Sequence, residues 1–296
     1  MSGELAALVT AILWAIAGTM LKPLSGRFHP LVLNQIRCLA ATSLFAILLI
    51  ANGGFMLLSL VPLRSAILAI AGTFIGIGIG ESLFILSLRY IDISRAYPIS
   101  SCAYPLITAI IAFFALNEQL SGIALIGVFL VLAGIYFVAF PSGPLLARIS
   151  MHSPKERRGL FLLLLTIIAW GVSVVLIKLG TEGLEMPLAN FIRFGGTVVL
   201  LIPLTVVPWL RFRQNNSGWR NLGMAGLSGF ISFGIGGVFF LLALKETGAA
   251  MTSVLSSTSP LFLVALAVLF LKEKVTPKLV LGVIMSVLGI SLVFIF

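Results

Sequence analysis

Long apolar stretches follow one another along almost the whole chain, separated by short polar connections. Each stretch is about as long as the roughly 20 residues that an α-helix needs to cross a bilayer. Within a stretch the apolar residues do not alternate with polar ones, which is typical of helices that lie in lipid. The pattern predicts an all-α integral membrane protein with ten transmembrane helices, at residues 4–24, 30–52, 63–88, 95–116, 121–140, 159–181, 187–210, 220–244, 249–271 and 276–296.

Composition supports this prediction. Of the 296 residues, 60% are hydrophobic and only 9% are charged, whereas soluble domains carry about 25% charged residues. The longest connections, near residues 141–158 and 211–219, are too short to fold alone. Cys38 and Cys102 lie in different predicted helices and are interpreted as small apolar side chains, so no disulfide, metal site or cofactor is expected.

The net charge of +10 is concentrated in alternate connections between the predicted helices. Connections 2–3, 6–7 and 8–9 carry only Arg64, Lys178 and Lys245. Since basic loops stay in the cytoplasm, both termini are predicted on the non-cytoplasmic side of an inner or plasma membrane. Orientation explains this charge better than nucleic-acid binding, so no nucleic-acid partner is expected. Fourteen basic residues lie in the odd-to-even connections: Lys22, Arg27, Arg89, Arg95, Arg148, Lys155, Arg157, Arg158, Arg211, Arg213, Arg220, Lys272, Lys274 and Lys278.

The second half of the chain repeats the first. Rare residues coincide, which chance matches among leucines would not explain. We predict two five-helix repeats, residues 1–142 and 159–296, joined by a basic cytoplasmic linker at 143–158. An offset of 156 aligns Trp14 with Trp170, Asn34 with Asn190 and Arg37 with Arg193, and an offset of 155 aligns Pro105 with Pro260 and Glu118 with Glu273.

The number of helices in each repeat fixes their relative orientation. Five is odd, so the second copy would enter the membrane from the opposite side, giving inverted repeats. The distribution of charge agrees with inversion, because equivalent connections then lie on opposite sides of the membrane and should differ in basic residues. Connection 2–3 holds one basic residue, while its counterpart, connection 7–8, holds three. Inverted repeats recur in secondary transporters, whose substrate site lies near the membrane midplane between the halves.

Several stretches carry a resemblance to a known family. The chain resembles the ten-helix, EamA-type branch of the drug/metabolite transporter superfamily, with two EamA-like domains. Relatives export amino acids and other metabolites, or carry sugar phosphates and nucleotide sugars. The resemblance implies that helices 1–4 and 6–9 surround a central cavity, with helices 5 and 10 at the periphery. The stretches are "AILWAIAGTMLK", "TIIAWGVSVVLIK", "SSCAYPLITAIIAFFALNEQL" and "SSTSPLFLVALAVLFLKEKV".

Arg37 and Arg193 lie six or seven residues past the proline that opens each helix, about 10 Å along the axis. One interpretation is that both snorkel towards the headgroups. The inversion favours another, in which they lie near opposite faces, cannot share one site, and form symmetry-related gates with an acid of the other repeat. The predicted ion pairs are Arg37–Glu273 and Arg193–Glu118, with Asp92, Glu182 and Glu185 as alternative acids.

Glu81 is the only acid well inside a predicted helix. An ionisable residue there is a functional hypothesis by default, so we expect it to take up a proton or to bind a substrate amine. A structural hydrogen bond is the alternative, and Arg89 is a candidate to neutralise its charge. Trp14 and Trp170 lie mid-helix, where they either line a cavity or only pack.

Helices 4 and 9 carry Pro105 and Pro260 after short polar runs. A proline inside a helix leaves a carbonyl without its donor, so we expect a helix break beside the substrate, or a kink that only shapes packing. The predicted polar contacts in these runs are Tyr97, Ser101, Tyr104, Ser256, Ser257 and Thr258. Glycines are frequent in helices 3 and 8, where close packing or flexing would explain them.

The chain lacks the groups that an enzyme would need. It has two histidines and nine scattered acids, and no H-E-x-x-H, P-loop or nucleophile elbow. We predict a secondary transporter that exports a small amino-acid-like or amphipathic metabolite by alternating access, coupled to protons, as a monomer or homodimer in the bilayer. The alternatives are a gradient-driven uniporter or exchanger, and a non-transport scaffold or lipid-handling protein.

Overall fold

A computed structural model describes residues 1–116, 153–214, 218–266 and 276–295, together with positions 126, 127, 129, 130, 133, 134 and 137. Regular structure in these residues is helical throughout. Seven of the described helices are long and apolar enough to cross a membrane. The helices are α1 (Gly3–Ser25), α2 (Pro30–Ala51), a short 3₁₀-helix (Gly54–Leu60), α3 (Leu63–Ser87), α4 (Ile93–Leu116), α5 (Pro154–Thr181), α6 (Met186–Gln214), α7 (Trp219–Ser256), α8 (Ser259–Leu266) and α9 (Pro277–Ile295).

The hydrophobic pattern located most of these helices correctly. Helices α1 to α6 and α9 coincide with seven predicted segments to within a few residues. Most of the segment predicted at 121–140 lies outside the described residues. The segments at 220–244 and 249–271 are not separated by a loop, because α7 runs through their boundary and bends at Gly248, where the backbone has φ +82°. This φ is a conformation that glycine alone adopts readily.

The predicted break at Pro260 is present, but the one at Pro105 is absent. Helix α7 ends at Ser256 and α8 starts at Ser259, whereas α4 continues through Pro105. The hydroxyls of Ser256, Ser257 and Thr258 donate to carbonyls of the preceding turn. Such bonds compete with the helical ladder, so three in succession explain the break. A single proline in a packed helix removes one hydrogen bond and need not unwind it.

Helices α3 and α7 each contain a π-helical segment, Phe74–Glu81 in α3 and Phe230–Ile235 in α7. These segments begin 156 residues apart, at the offset that aligns the two parts of the sequence. π-Helical turns are rare and are frequent at functional sites. Hydropathy does not distinguish them from α-helix, so they could not be anticipated from the hydrophobic pattern.

The core is formed between two parts of the chain, of which the first comprises helices α1 to α4 and the second comprises helices α5 to α9. Helix α1 packs on α7 and α8, α2 on α6, and α5 on α3 and α4. Glycines on one face of α3, Gly72, Gly76 and Gly80, lie against α5. A Cβ on Gly180 of α5 would overlap the backbone of Ala69 in α3. Close packing is thus the role of these glycines. By contrast, a Cβ on Gly223 or Gly226 of α7 would have no described atom within 4 Å.

Candidate functional site

A cavity lies between the two parts of the chain, with every helix from α1 to α8 contributing to its wall. The empty space among its lining residues, including the open space at its mouth, is about 880 Å³. The wall is mostly apolar, with three charged side chains and a few hydroxyls among the described residues. The lining residues are Trp14, Gly18, Leu21, Arg37, Gly76, Ile77, Glu81, Tyr97, Ser101, Tyr104, Trp170, Ser173, Val174, Ile177, Arg193, Phe194, Ser232, Phe233, Gly237, Phe240 and Ser259.

Arg37 and Glu81 form an ion pair in the cavity wall. The Nη1 atom of Arg37 lies 2.7 Å from Oε1 of Glu81, with the two side chains only 2% and 12% exposed. The guanidinium also donates to Oδ1 of Asn34 at 2.9 Å and to Oγ of Ser232 at 3.1 Å, and it lies 4.1 Å from the centre of the Phe233 ring. Because Ser232 and Phe233 belong to α7, this network connects α2 and α3 to the second part of the chain.

Arg193 has a different environment in the same cavity. Its Nε donates to Oδ1 of Asn190 at 2.7 Å, and its guanidinium carbon lies 4.0 Å from the centre of the Phe194 ring. The side chain is 3% exposed. Among the residues that the structure describes, no carboxylate lies within 4 Å of it.

These positions correct the predicted environment of both arginines. Neither snorkels, because both are buried in protein, and the expectation that they cannot share one site is wrong, because both line the same cavity. Two residues that each lie about 10 Å inside a core about 30 Å thick are only about 10 Å apart in depth. Long side chains turned inwards can therefore reach a common space.

The ion-pair partners of the acidic residues also differ from those predicted from the sequence. Glu81 is bound by Arg37 and not by Arg89, whose guanidinium donates to the carbonyls of Ser25 and Phe28. Asp92 pairs with Lys22 at 3.2 Å, outside the cavity. Glu118 and Glu273, the predicted gate partners, lie outside the described residues, so those two ion pairs stay predictions.

Aromatic rings form much of the cavity wall, and the two predicted tryptophans are among them. Trp14 packs on Phe240 with ring centres 5.3 Å apart, and Trp170 packs on Phe84 at 5.4 Å. The offset of 156 aligns Trp14 with Trp170 and Phe84 with Phe240. Each pair therefore joins a tryptophan of one part to a phenylalanine of the other. Trp14 Nε1 also donates to the carbonyl of Ser232 at 3.3 Å. Both tryptophans therefore line the cavity and pack.

The predicted hydroxyl residues divide into two groups. Tyr97, Ser101 and Tyr104 line the cavity, and the Tyr104 hydroxyl lies 3.2 Å from the Ser256 hydroxyl. Ser256 stands behind Tyr104, while Ser257 and Thr258 bond the carbonyls of their own helix, so these three do not line the cavity. Ser259, the neighbour of Pro260, lines it instead.

Sequence inspection missed the asparagines that hold the arginines. Asn34 donates through Nδ2 to the carbonyl of Ile77 at 3.1 Å and to the Ser82 hydroxyl at 3.0 Å, while its Oδ1 accepts from Arg37. Asn190 accepts from Arg193 in the same way. Both lie three residues before their arginine and coincide at the 156-residue offset. An asparagine three residues before each arginine, on the same face of the helix, was the feature of the sequence that could have predicted these contacts.

Comparison with known proteins agrees with this architecture. A model of the EamA-like transporter family matches residues 1–140 and 157–295. An uncharacterized transporter of Archaeoglobus fulgidus is 26% identical over 289 residues, which cover 97% of this chain and 96% of that protein. Protein LicB of Haemophilus influenzae is 22% identical over 237 residues, covering 77% and 75% of the two chains.

The fold has also been observed by crystallography. A solved crystal structure superposes with a TM-score of 0.72 at 16% identity, over 99% of this chain and 96% of that one. At this identity the likeness concerns the fold alone. Together with the helices that can cross a membrane and the two matched regions, these findings identify the chain as a multi-pass membrane protein that belongs to the EamA-like transporter family.

Proposed function

We propose that the cavity between the two parts of the chain binds a small amphipathic metabolite, which the protein exports by alternating access as a secondary transporter. The observation that carries this proposal is a cavity with a buried Arg37–Glu81 ion pair, a second buried arginine and aromatic walls from both parts. Apolar and aromatic surface would hold the body of the substrate, and the few polar groups would fix its orientation.

In this proposal residues 1–142 and 159–296 are inverted five-helix repeats, joined by a basic cytoplasmic linker at 143–158. Their relative rocking would open the cavity to each face in turn. The π-helical segments of α3 and α7 lie beside the cavity, because Gly76, Ile77, Ser232 and Phe233 line it. A π-helical turn is a local departure from regular helix, and we place the bending during transport there.

We further propose that Glu81 couples transport to protons. In this structure its carboxylate forms a buried ion pair with Arg37. Arg37 is also bound by Ser232 of α7, so movement of α7 against α2 would draw the guanidinium away from Glu81. A carboxylate left without its cation in a buried wall favours protonation. The charged and polar groups near Glu81 include Arg37, Asn34 and the Tyr97 hydroxyl.

Transport by purified protein in liposomes tests these proposals. A panel of labelled metabolites is screened by counterflow, and compounds that exchange are retested for accumulation under an imposed pH gradient. We expect Glu81→Gln to keep counterflow and to lose gradient-driven accumulation. Asp92→Asn is the matched control, because Asp92 is an acid paired with Lys22 outside the cavity and 69% exposed.

The outcomes separate the alternatives. Equal accumulation by wild type and Glu81→Gln removes Glu81 from proton coupling, and counterflow without any response to the gradient indicates a uniporter or exchanger. An absence of flux for every compound favours a scaffold or lipid-handling role.

A further inference from the structure

The charges of the cavity do not balance. Arg37, Glu81 and Arg193 are the charged side chains among its described lining residues, and Arg37 and Glu81 neutralise each other at 2.7 Å. In the part of the chain that the structure describes, Arg193 has no carboxylate partner, and it is buried to the same degree as Arg37. A buried guanidinium without a counter-charge is costly, and its contact with the Phe194 ring compensates only a fraction of that cost.

The sequence offset shows which side chain the second arginine lacks. It aligns Arg37 with Arg193 and Glu81 with Gly237. A Cβ built on Gly237 would lie 3.2 Å from Nη2 of Arg193 and 3.3 Å from Oδ1 of Asn190. The terminal nitrogens of Arg193 therefore face the position at which the first part of the chain carries its carboxylate.

We infer that the substrate supplies this missing anion, so that a carboxylate or comparable oxyanion binds Arg193 at the space beside Gly237. The inference rests on the proposed function and specifies its substrate class. A guanidinium offers a planar pair of donors that matches a carboxylate in a bidentate arrangement. Arg193 and Gly237 both line the cavity, so an oxyanion in the cavity would approach Arg193 beside a residue that has no side chain.

The surroundings define the rest of the substrate. The Phe194 and Phe240 rings lie 4.0 Å and 6.0 Å from the Arg193 guanidinium, and the Trp14 indole lies 3.4 Å from the Cβ position of Gly236. Apolar atoms next to the oxyanion would pack on these rings. Among the described lining residues only the Arg193 charge is uncompensated, and the carboxylate of Glu81 lines the same space. The cavity therefore favours a monoanion with an apolar body over a dianion.

Binding to the detergent-purified protein tests this inference without requiring transport. The probes are 3-phenylpropionate and hexanoate, each with its uncharged amide, and the dissociation constant is obtained from the concentration dependence of the melting temperature. For wild type we expect both carboxylates to bind at least about tenfold more tightly than their amides. Arg193→Gln should abolish this preference.

Substitution of Gly237 provides a matched pair of variants. Gly237→Asp places a carboxylate beside Arg193 within the protein, so it should lose the preference for carboxylate probes and melt at a higher temperature than Gly237→Asn in the absence of probe. Gly237→Asn has the same size without the charge, so it should bind both kinds of probe more weakly, but any binding that remains should still favour carboxylates. This pair also serves if Arg193→Gln does not fold.

Three results would overturn the inference: no binding of either carboxylate to wild type, equal binding of carboxylates and amides, or a preference that survives in Arg193→Gln. Failure of the proposed function gives a different pattern. In that case carboxylates bind as expected but no compound shows counterflow. Conversely, flux of uncharged compounds without carboxylate binding keeps the transporter and removes the oxyanion site.

Discussion

At the scale of single residues, the two buried arginines have the same position in the repeat but different partners. Arg37 is held by Glu81, Asn34 and Ser232, whereas Arg193 is held by Asn190 and faces Gly237. One difference between the aligned positions, Glu81 against Gly237, gives one half of the described cavity wall a neutral pair and the other an uncompensated positive charge. The difference in charge therefore comes from one residue, although Ser232, which binds Arg37, is also replaced by a glycine, Gly76, at the aligned position.

The Arg37–Glu81 pair can be tested by a double-mutant cycle. Glu81→Leu leaves the buried Arg37 charge without a counter-charge, which costs about 3–5 kcal/mol in comparable sites. We expect a large fall in the melting temperature of the purified protein, and a smaller fall in the Arg37→Met/Glu81→Leu double variant. Asp92→Asn should have little effect, because Asp92 pairs with Lys22 at an exposed position. Additive losses in the double variant would show that the two side chains are not coupled.

At the scale of helices, small residues determine how closely α3 and α5 approach. Gly72, Gly76 and Gly80 recur once per turn of α3, and Gly180 of α5 meets the backbone of Ala69. The contact between α3 and α5 also positions Glu81, the ion-pair partner of Arg37, because Glu81 follows Gly80 directly in α3. Separation of α3 from α5 would thus displace the carboxylate as well as open the core.

Alanine substitution distinguishes close contact from flexibility at these glycines. Gly180→Ala should lower the melting temperature, because its Cβ would overlap the Ala69 backbone, and such overpacking costs about 1–3 kcal/mol. Gly226→Ala is the matched control in α7, where the new Cβ would have no described atom within 4 Å. It should be neutral or stabilising, since alanine favours a helix by up to about 1 kcal/mol over glycine. Equal effects of both substitutions would argue against a packing role for Gly180.

At the scale of the whole molecule, the cavity requires both parts of the chain. Helices α1 to α4 and α5 to α8 each supply part of its wall, and the aromatic pairs Trp14–Phe240 and Trp170–Phe84 cross between them. A site of this kind changes shape when the two parts rotate relative to each other. The inverted arrangement proposed for them can be tested independently of transport.

Cysteine labelling tests the inversion. In a Cys38→Ala/Cys102→Ala background, Asn52→Cys and Trp219→Cys place single thiols at exposed positions in connections that the repeat makes equivalent. We expect Asn52→Cys to react with an impermeant maleimide in intact cells, and Trp219→Cys to react only after permeabilisation. Labelling of both from the same side would exclude inversion. The opposite pattern would keep the inversion and reverse the orientation deduced from charge.

The amino-acid sequence determined the features that depend on local composition. Most helix bounds were recognisable, because the energy of placing a segment in lipid is a sum over its own residues. The 156-residue offset and five of the residues that line the cavity, Trp14, Glu81, Tyr97, Tyr104 and Trp170, could also be identified from residue type and position. The break before Pro260 was also predicted from local sequence, because a proline follows a short run of polar residues there. The continuous helix through Pro105 was not, since packing by neighbouring helices decides whether a lost hydrogen bond unwinds a turn.

Only the tertiary structure decided which buried groups meet. Glu81 lies 44 residues after Arg37 and belongs to another helix, and hydropathy places both at some depth without fixing the rotation of either helix. The π-helical turns, the asparagines behind the arginines and the shared cavity all depend on that rotation and on side-chain length. A buried charge takes the partner that helix packing brings within hydrogen-bonding distance, and that distance is a property of the assembled helices.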